Sequence, residues 1–160
     1  MKVLVVSDTH GRNTKFEQAV EKEKPFDYLI HCGDVESNPL SIASAAGCLC
    51  TMVAGNNDFF LDLPKEARIS LMGHKIFVCH GHHHRVSMGI FGIEDACRSR
   101  DCRIALFGHT HRPLIQEENG ILFVNPGSLT FPRQEGRRPS YAVLELFEDK
   151  MPTAEIRYLW

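Results

Sequence analysis

Five short polar motifs sit at the ends of apolar runs in this 160-residue chain. They are Asp8-Thr9-His10, Gly33-Asp34, Gly55-Asn56-Asn57-Asp58, His80-Gly81-His82 and Gly108-His109-Thr110-His111. Carboxylate, imidazole and amide oxygen, with no thiolate, suit Mn²⁺, Fe²⁺, Zn²⁺ and similar ions. Two such ions about 3.5 Å apart can activate a shared water and neutralise phosphoryl oxygens, which is a device for attacking phosphorus. Any one Asp or Asn at a strand end is a turn or capping residue by default. Seven donors in register, Asp8, His10, Asp34, Asn56, His80, His109 and His111, read as ligands for a pair of divalent metal ions.

The elements that must position them follow from apolar periodicity. Lys2 to Ser7 reads as a buried strand. A helix near Asn13 to Lys24 puts Phe16, Ala19, Val20 and Glu23 on one face, and Pro25 ends it. A strand over Tyr28 to Cys32, a helix over Pro39 to Ala46 closed by Gly47, and a strand over Cys50 to Ala54 complete a β-α-β-α-β run, the signature of a parallel sheet. Then come strands over Ala67 to Met72 and Lys75 to Cys79 joined at Gly73-His74, a helix over Ile90 to Arg100, and a strand over Ile104 to Phe107. Strands over Leu114 to Gln116 and Ile121 to Val124 flank the turn Glu118-Asn119-Gly120. Two more cover Tyr141 to Leu146 and Ala154 to Leu159. About ten strands and three helices call for two sheets packed face to face with helices outside. No repeat or dividing linker appears, so residues 1–160 read as one domain.

Ligands of open α/β sheets sit beyond the carboxyl ends of strands, and each motif falls there. In an extended segment residues i and i+2 face the same way, so Asp8 is expected to point with His10, and His109 with His111. Glycines 33, 55, 81 and 108 let the backbone turn and approach closely.

Hydrophobic residues make up 43% of the chain, which fits a globular protein. The formal charge of -2 gives no reason to expect nucleic acid or an anionic membrane as partner. No apolar stretch approaches the ~20 residues of a membrane span. Met1-Lys2 leads straight into a strand, so no signal peptide is expected. None of the six cysteines forms a C-x-x-C pair, so they read as reduced, mostly buried thiols and the expected location is the cytoplasm. Arg133, Arg137 and Arg138 read as a solvated loop, His31 and His74 as structural, and His83 and His84 as solvent-facing loop residues.

The motif series resembles that of the calcineurin-like metallophosphoesterases, D-x-H, G-D, G-N-x-D, H-G-H and G-H-T-H, followed by N-P-G-S as Asn125-Pro126-Gly127-Ser128. Within that superfamily it is most similar to the small single-domain YfcE/MJ0936-type phosphodiesterase group. The resemblance implies a four-layer α/β/β/α sandwich of two mixed β-sheets flanked by helices. It implies that Asp8, His10 and His111 hold a first ion, that Asn56, His80 and His109 hold a second, and that Asp34 bridges them. Mn²⁺ is the ion it favours, with Ni²⁺, Fe²⁺, Zn²⁺ and Mg²⁺ left open. Asn56, Asn57 and His82 are expected to face the reacting phosphoryl group, while Asp58, Thr110 and Asn125 orient the ligands from behind. The implied activity is hydrolysis of phosphodiesters, with phosphomonoesters a secondary class, on a small soluble phosphoester. The alternative is a protein-binding scaffold of the retromer-subunit type. Homodimer formation is left open, with Trp160 either covering the sheet or sitting in a subunit contact. One departure stands out. Many superfamily members carry G-N-H-D, whose His protonates the leaving group, and here Asn57 takes that place. General acid catalysis contributes roughly 10²–10⁴-fold, so good leaving groups are the expected substrates.

Overall fold

The computed structural model describes residues 1–160. One sheet has the order β10-β9-β1-β2-β3 and the other β4-β5-β6-β8-β7. In the first, β1 (Lys2–Val6), β2 (Tyr28–His31) and β3 (Leu49–Met52) are parallel, β9 (Ser140–Glu145) pairs antiparallel with β1, and β10 (Thr153–Tyr158) pairs antiparallel with β9. In the second, β5 (His74–Cys79), β6 (Ile104–Leu106) and β8 (Ile121–Pro126) are parallel. There β4 (Glu66–Leu71) and β7 (Pro113–Glu118) form antiparallel edges.

Strand alternation builds the layers. Val3 and Val5 of β1 meet Ile76 and Val78 of β5 in a core between the sheets. Leu4 and Val6 turn the other way, onto Phe16, Ala19 and Val20 of α1 (Thr14–Glu23) and Ile42 of α2 (Pro39–Ala46). Phe77 and Cys79 of β5 likewise face Ile93, Ala96 and Cys97 of α3 (Phe91–Ser99). Strands covered on both faces must be apolar at every position, which is why β1 reads as a continuous run. The expected four-layer α/β/β/α sandwich, with ten strands and three α-helices, is what forms.

Local chemistry sets the boundaries. Asn38 Oδ1 accepts from Leu40 N at 3.0 Å, Pro39 opens α2, and Gly47 closes it at φ +68°. Two details differ from the sequence expectation. The β4–β5 turn is Met72-Gly73, with Leu71 paired to His74, because the type I′ geometry needs positive φ at both central residues (+51° and +79°). His82–His84 and Val86–Met88 form short 3-10 turns rather than an open loop, and His84 packs edge-on against Phe77 at 5.8 Å. His74 is structural, its Nε2 lying 2.6 Å from the Phe147 carbonyl. Trp160 is exposed, with the Arg138 guanidinium 4.0 Å from its ring centroid. No helix is long and apolar enough to cross a membrane.

One buried acid ties a helix to three strands. Glu23, on the inner face of α1, accepts from Tyr141 Oη of β9 and Arg157 Nη1 of β10, each at 2.6 Å, and lies 3.0 Å from Lys2 Nζ of β1. Burial works against its charge, but these three donors hold its pKa below the ordinary value. Glu23→Gln leaves Arg157 and Lys2 facing a neutral group and should cost about 2 kcal/mol in urea unfolding at pH 7. A depressed folded pKa gives stability that is present above the unfolded value of about 4.3 and lost as pH falls through the lower folded value. The gap between wild type and variant should therefore shrink on acidification below pH 4. A gap that persists or widens there would show that Glu23 is not charged in the fold.

Candidate metal centre

The parallel strands β1, β2, β5 and β6 end at one rim, and the chain leaves each through a tight turn. Asp8, His10, Asp34, His109 and His111 have φ of +56°, +48°, +54°, +71° and +58°. Such left-handed residues cost on the order of 1–3 kcal/mol each and cluster at functional sites. They correct the extended-segment expectation. Asp8 and His10 do meet, with Asp8 Oδ1 3.6 Å from His10 Nε2. His109 and His111 instead diverge: His111 Nε2 lies 3.1 Å from Asp8 Oδ1, whereas His109 Nδ1 lies 3.1 Å from Asn56 Oδ1.

The hydrogen bonds behind the imidazoles decide which nitrogen faces the centre. His80 Nδ1 lies 2.7 Å from the Cys32 carbonyl, and His111 Nδ1 lies 2.7 Å from the Phe131 carbonyl. A carbonyl only accepts, so both Nδ1 atoms carry the hydrogen. His10 Nδ1 is held in the same way by the Glu36 carboxylate. In the neutral rings all three Nε2 lone pairs therefore point inward. They converge on carboxylates. His80 Nε2 is 3.4 Å from Asp34 Oδ2 and 3.7 Å from Asp8 Oδ1. His10 Nε2 is 3.8 Å from Asp34 Oδ2 and 3.1 Å from His111 Nε2. Ligand atoms of Asp8, His10 and His111 form one tight group, and those of Asp8, Asp34 and His80 form another.

This is a cluster of acceptors facing acceptors. Asp8 is fully buried. Its Oδ2 accepts from Ser7 Oγ at 2.6 Å and His109 N at 3.1 Å, but its Oδ1 has no hydrogen-bond partner, and neither does His80 Nε2. Buried polar atoms are rarely orphaned. A divalent cation satisfies all of them at once, and the carboxylate–imidazole–amide set has the right chemistry for one.

Electrostatics agree with that fit. Burial opposes ionisation of Asp8, yet His10, His111 and His80 hold it well below the usual carboxylate range. Asp34 is brought down to about 2, against burial, by His80 and by Asn57. Burial pushes His80 and His10 down, but the facing carboxylates raise both above the ordinary imidazole value. His109 goes the other way, lowered by burial and by His80.

An outer set of residues fixes these side chains. Asp58 accepts from Gly55 N at 2.8 Å, Glu36 N at 2.8 Å and Val35 N at 3.1 Å, so it joins the Asp34 and Asn56 loops. Asn125 Nδ2 donates to the Gly108 carbonyl at 3.0 Å and to Thr110 Oγ1 at 2.9 Å, bracing the His109 loop. Ser128 Oγ donates to the Asp8 carbonyl at 2.8 Å. Buried His31 accepts from Gly33 N at 3.2 Å and has its Nε2 3.0 Å from Thr9 Oγ1, linking the two Asp-bearing turns. Gly108 and Gly55 serve space rather than φ. A Cβ on Gly108 would lie 2.0 Å from Ser7 Oγ, and one on Gly55 2.1 Å from Asp34 Oδ1.

Three placements refine the sequence reading. Asn57 donates its backbone N–H to Asp34 Oδ1 and its side-chain amide to Asp34 Oδ2, both at 2.9 Å. His82 stands beside His80 and His109, at ring separations of 5.4 and 6.0 Å, with its pKa brought to about 4 by burial and the neighbouring imidazoles. Arg138 is engaged with Tyr158 and Trp160. Glu36 was missed altogether. Its only trace is an acid two positions beyond Asp34, and nothing in the sequence says that the chain folds it back onto His10.

The chain is 33% identical over 150 residues to the probable metallophosphoesterase YsnB of Bacillus subtilis, covering 93% of this chain and 86% of that protein. It is 28% identical over 145 residues to phosphodiesterase MJ0936 of Methanocaldococcus jannaschii, covering 79% and 83% of the two. The solved structure of Vps29 complexed with Zn²⁺ from Entamoeba histolytica shares the fold at a TM-score of 0.79 and 22% identity, over 99% of both chains. Residues 1–149 match the calcineurin-like phosphoesterase superfamily domain, and the chain belongs to that family.

Proposed function

We propose that this chain is a two-metal phosphodiesterase for a small phosphoester, with phosphomonoesters a secondary substrate class. The observation that carries the reading is the convergence of three Nε2 lone pairs on two buried carboxylates, one of which has an oxygen with no donor at all. Asp8, His10 and His111 would hold one ion, and Asn56, His80 and His109 the other. Asp34 lies between His10 and His80, so it is the group to bridge them. Bound ions supply Lewis-acid activation of water and neutralisation of phosphoryl charge. The chain's own residues do the positioning. Asn57 fixes both oxygens of Asp34, Glu36 and two backbone carbonyls fix the imidazole planes, and Asp58 and Asn125 hold the loops. His82 is placed to line the phosphate side of the centre.

Mn²⁺ is the ion we propose, because the family resemblance favours it; the oxygen-and-nitrogen donor set by itself suits several divalent ions. Ni²⁺, Fe²⁺, Zn²⁺ and Mg²⁺ are its competitors in reconstitution. All six cysteines are free, which supports a reducing cytoplasmic location. A protein-binding scaffold of the retromer type remains the contrasting reading. A complete donor set with three of its four imidazoles pre-oriented through Nδ1 supports the enzyme, because docking a partner does not require it.

Two outcomes test this. First, metal must displace the protons that His10 and His80 hold above the ordinary imidazole value of about 6.5. Apparent affinity should climb with pH through that value, by up to about tenfold per unit for each proton displaced. Titration calorimetry in buffers of different ionisation enthalpy should register the released protons. An affinity flat between pH 6 and 8 would remove His10 and His80 from the ligand set. Second, Asp34→Asn keeps the size and removes the charge between the two groups. It should lose at least one bound ion by elemental analysis. Hydrolysis of bis-p-nitrophenyl phosphate should fall at least about a hundredfold, the scale of losing one electrostatic partner at a reacting centre. Normal turnover with two ions bound would overturn the bridging role.

A further inference from the structure

The three pinned imidazoles are not pinned alike. His80 and His111 give their Nδ1 hydrogens to the neutral carbonyls of Cys32 and Phe131, whereas His10 gives its own to the Glu36 carboxylate. That carboxylate makes no other ion pair. Backbone pairing fixes its reach. His10 N donates to the Asp34 carbonyl and Gly11 N to the Val35 carbonyl, each at 2.9 Å, and Asp58 Oδ1 accepts from Glu36 N at 2.8 Å. Glu36 itself stands at φ +50°, a region that costs free energy for a residue with a Cβ. A strained backbone thus delivers one carboxylate to one imidazole and to nothing else.

A carboxylate behind an imidazole strengthens the donor nitrogen on the far side of the ring, and such partners are worth roughly 10–100-fold in metal affinity. Here the effect falls on one donor group only. Asp8, His10 and His111 form a tight group that carries the charge of Asp8 and, through His10, that of Glu36. Asn56 and the neutral rings of His80 and His109 bring no charge. His109 belongs to neither tight group, and its Nδ1 faces Asn56 Oδ1 at 3.1 Å. An ion on that side relies for charge on Asp34, which it shares. We propose that Glu36 is a positioning residue that, through His10, makes Asp8, His10 and His111 the tighter of the two ion sites, so that the centre loads one ion before the other. This rests on the two-metal reading and adds the order of filling and the residue that sets it.

The test is a Mn²⁺ titration of the metal-free protein, followed by calorimetry and by electron paramagnetic resonance. In the wild type two binding steps should differ in affinity by at least about tenfold. One equivalent should give the spectrum of isolated Mn²⁺, and spin coupling should appear only with the second. Glu36→Gln keeps an oxygen to hold His10 Nδ1 and removes the charge. It should weaken the first step by about tenfold or more and leave the second within about threefold. The gap then narrows, and coupled ions appear already at one equivalent. Asn56→Ala should do the reverse and weaken the second step alone. Equal weakening of both steps in Glu36→Gln would mean that Glu36 only supports its loop, and an unchanged first step would mean that it does not act on His10. Either overturns the inference, as does a first step weakened by Asn56→Ala. Two ions bound with equal affinity in the wild type overturn it too, while leaving the two-metal reading intact. Fewer than two ions bound at saturation would overturn the two-metal reading, and the inference with it.

Discussion

The structure depends on an electrostatic conflict that the protein cannot resolve with its own atoms. Two carboxylates, Asp8 and Asp34, are brought under the lone pairs of His10, His80 and His111 at 3.1 to 3.8 Å. Removing such groups from water costs several kcal/mol per ion unless something of opposite charge joins them. Protons on His10 and His80 are a partial answer, which is what their raised pKa values express. Divalent ions are the complete one. The rest of the fold keeps the conflict from relaxing by rotation of a side chain: each of the three imidazoles is pinned from behind through Nδ1.

Pinning imposes constraints that propagate outward. An imidazole anchored to a carbonyl needs that carbonyl to stay put, so Cys32 and Phe131 become part of the centre through their backbones alone. Phe131 in turn is fixed because its N–H donates to Ser128 Oγ, which also donates to the Asp8 carbonyl. The glycines belong to the same chain of cause. Gly55 and Gly108 lie where Asp34 and Asp8 press against backbone, and a methyl group there would occupy the carboxylates' own space. The inter-sheet core explains why four strand ends share a rim. Val3, Val5, Ile76 and Val78 lock β1 against β5, so motifs from separate sheets face each other across one cleft.

Much of this was legible from residues. Apolar runs ending in Asp, Asn or His gave the strands, their parallel order and the donors, because burial on both faces and polar strand ends leave direct marks in sequence. Backbone conformation left weaker marks. Asp8, His10, His109 and His111 are left-handed rather than extended, and only that geometry sends His111 to Asp8 and His109 to Asn56. Sequence also shows little of carbonyl acceptors, since every residue has one. That hid Cys32 and Phe131, as a chain reversal hid Glu36. Met72 in a type I′ turn is a further case: the preference for Asn or Gly there is statistical, and packing of Met72 against the inter-sheet core overrides it.

Asn57 shows how one substitution shapes the whole site. In many relatives of the wider superfamily the motif resemblance puts a proton-donating His at this position. Here both the backbone and side-chain N–H groups of Asn57 are spent on Asp34. The residue has become a brace for the carboxylate between the two donor groups. An amide cannot serve as an acid at neutral pH, and His82, the nearest alternative, is kept neutral by burial among other imidazoles. On the proposed phosphodiesterase reading, a leaving group would then have to depart as a stable anion or take its proton from water.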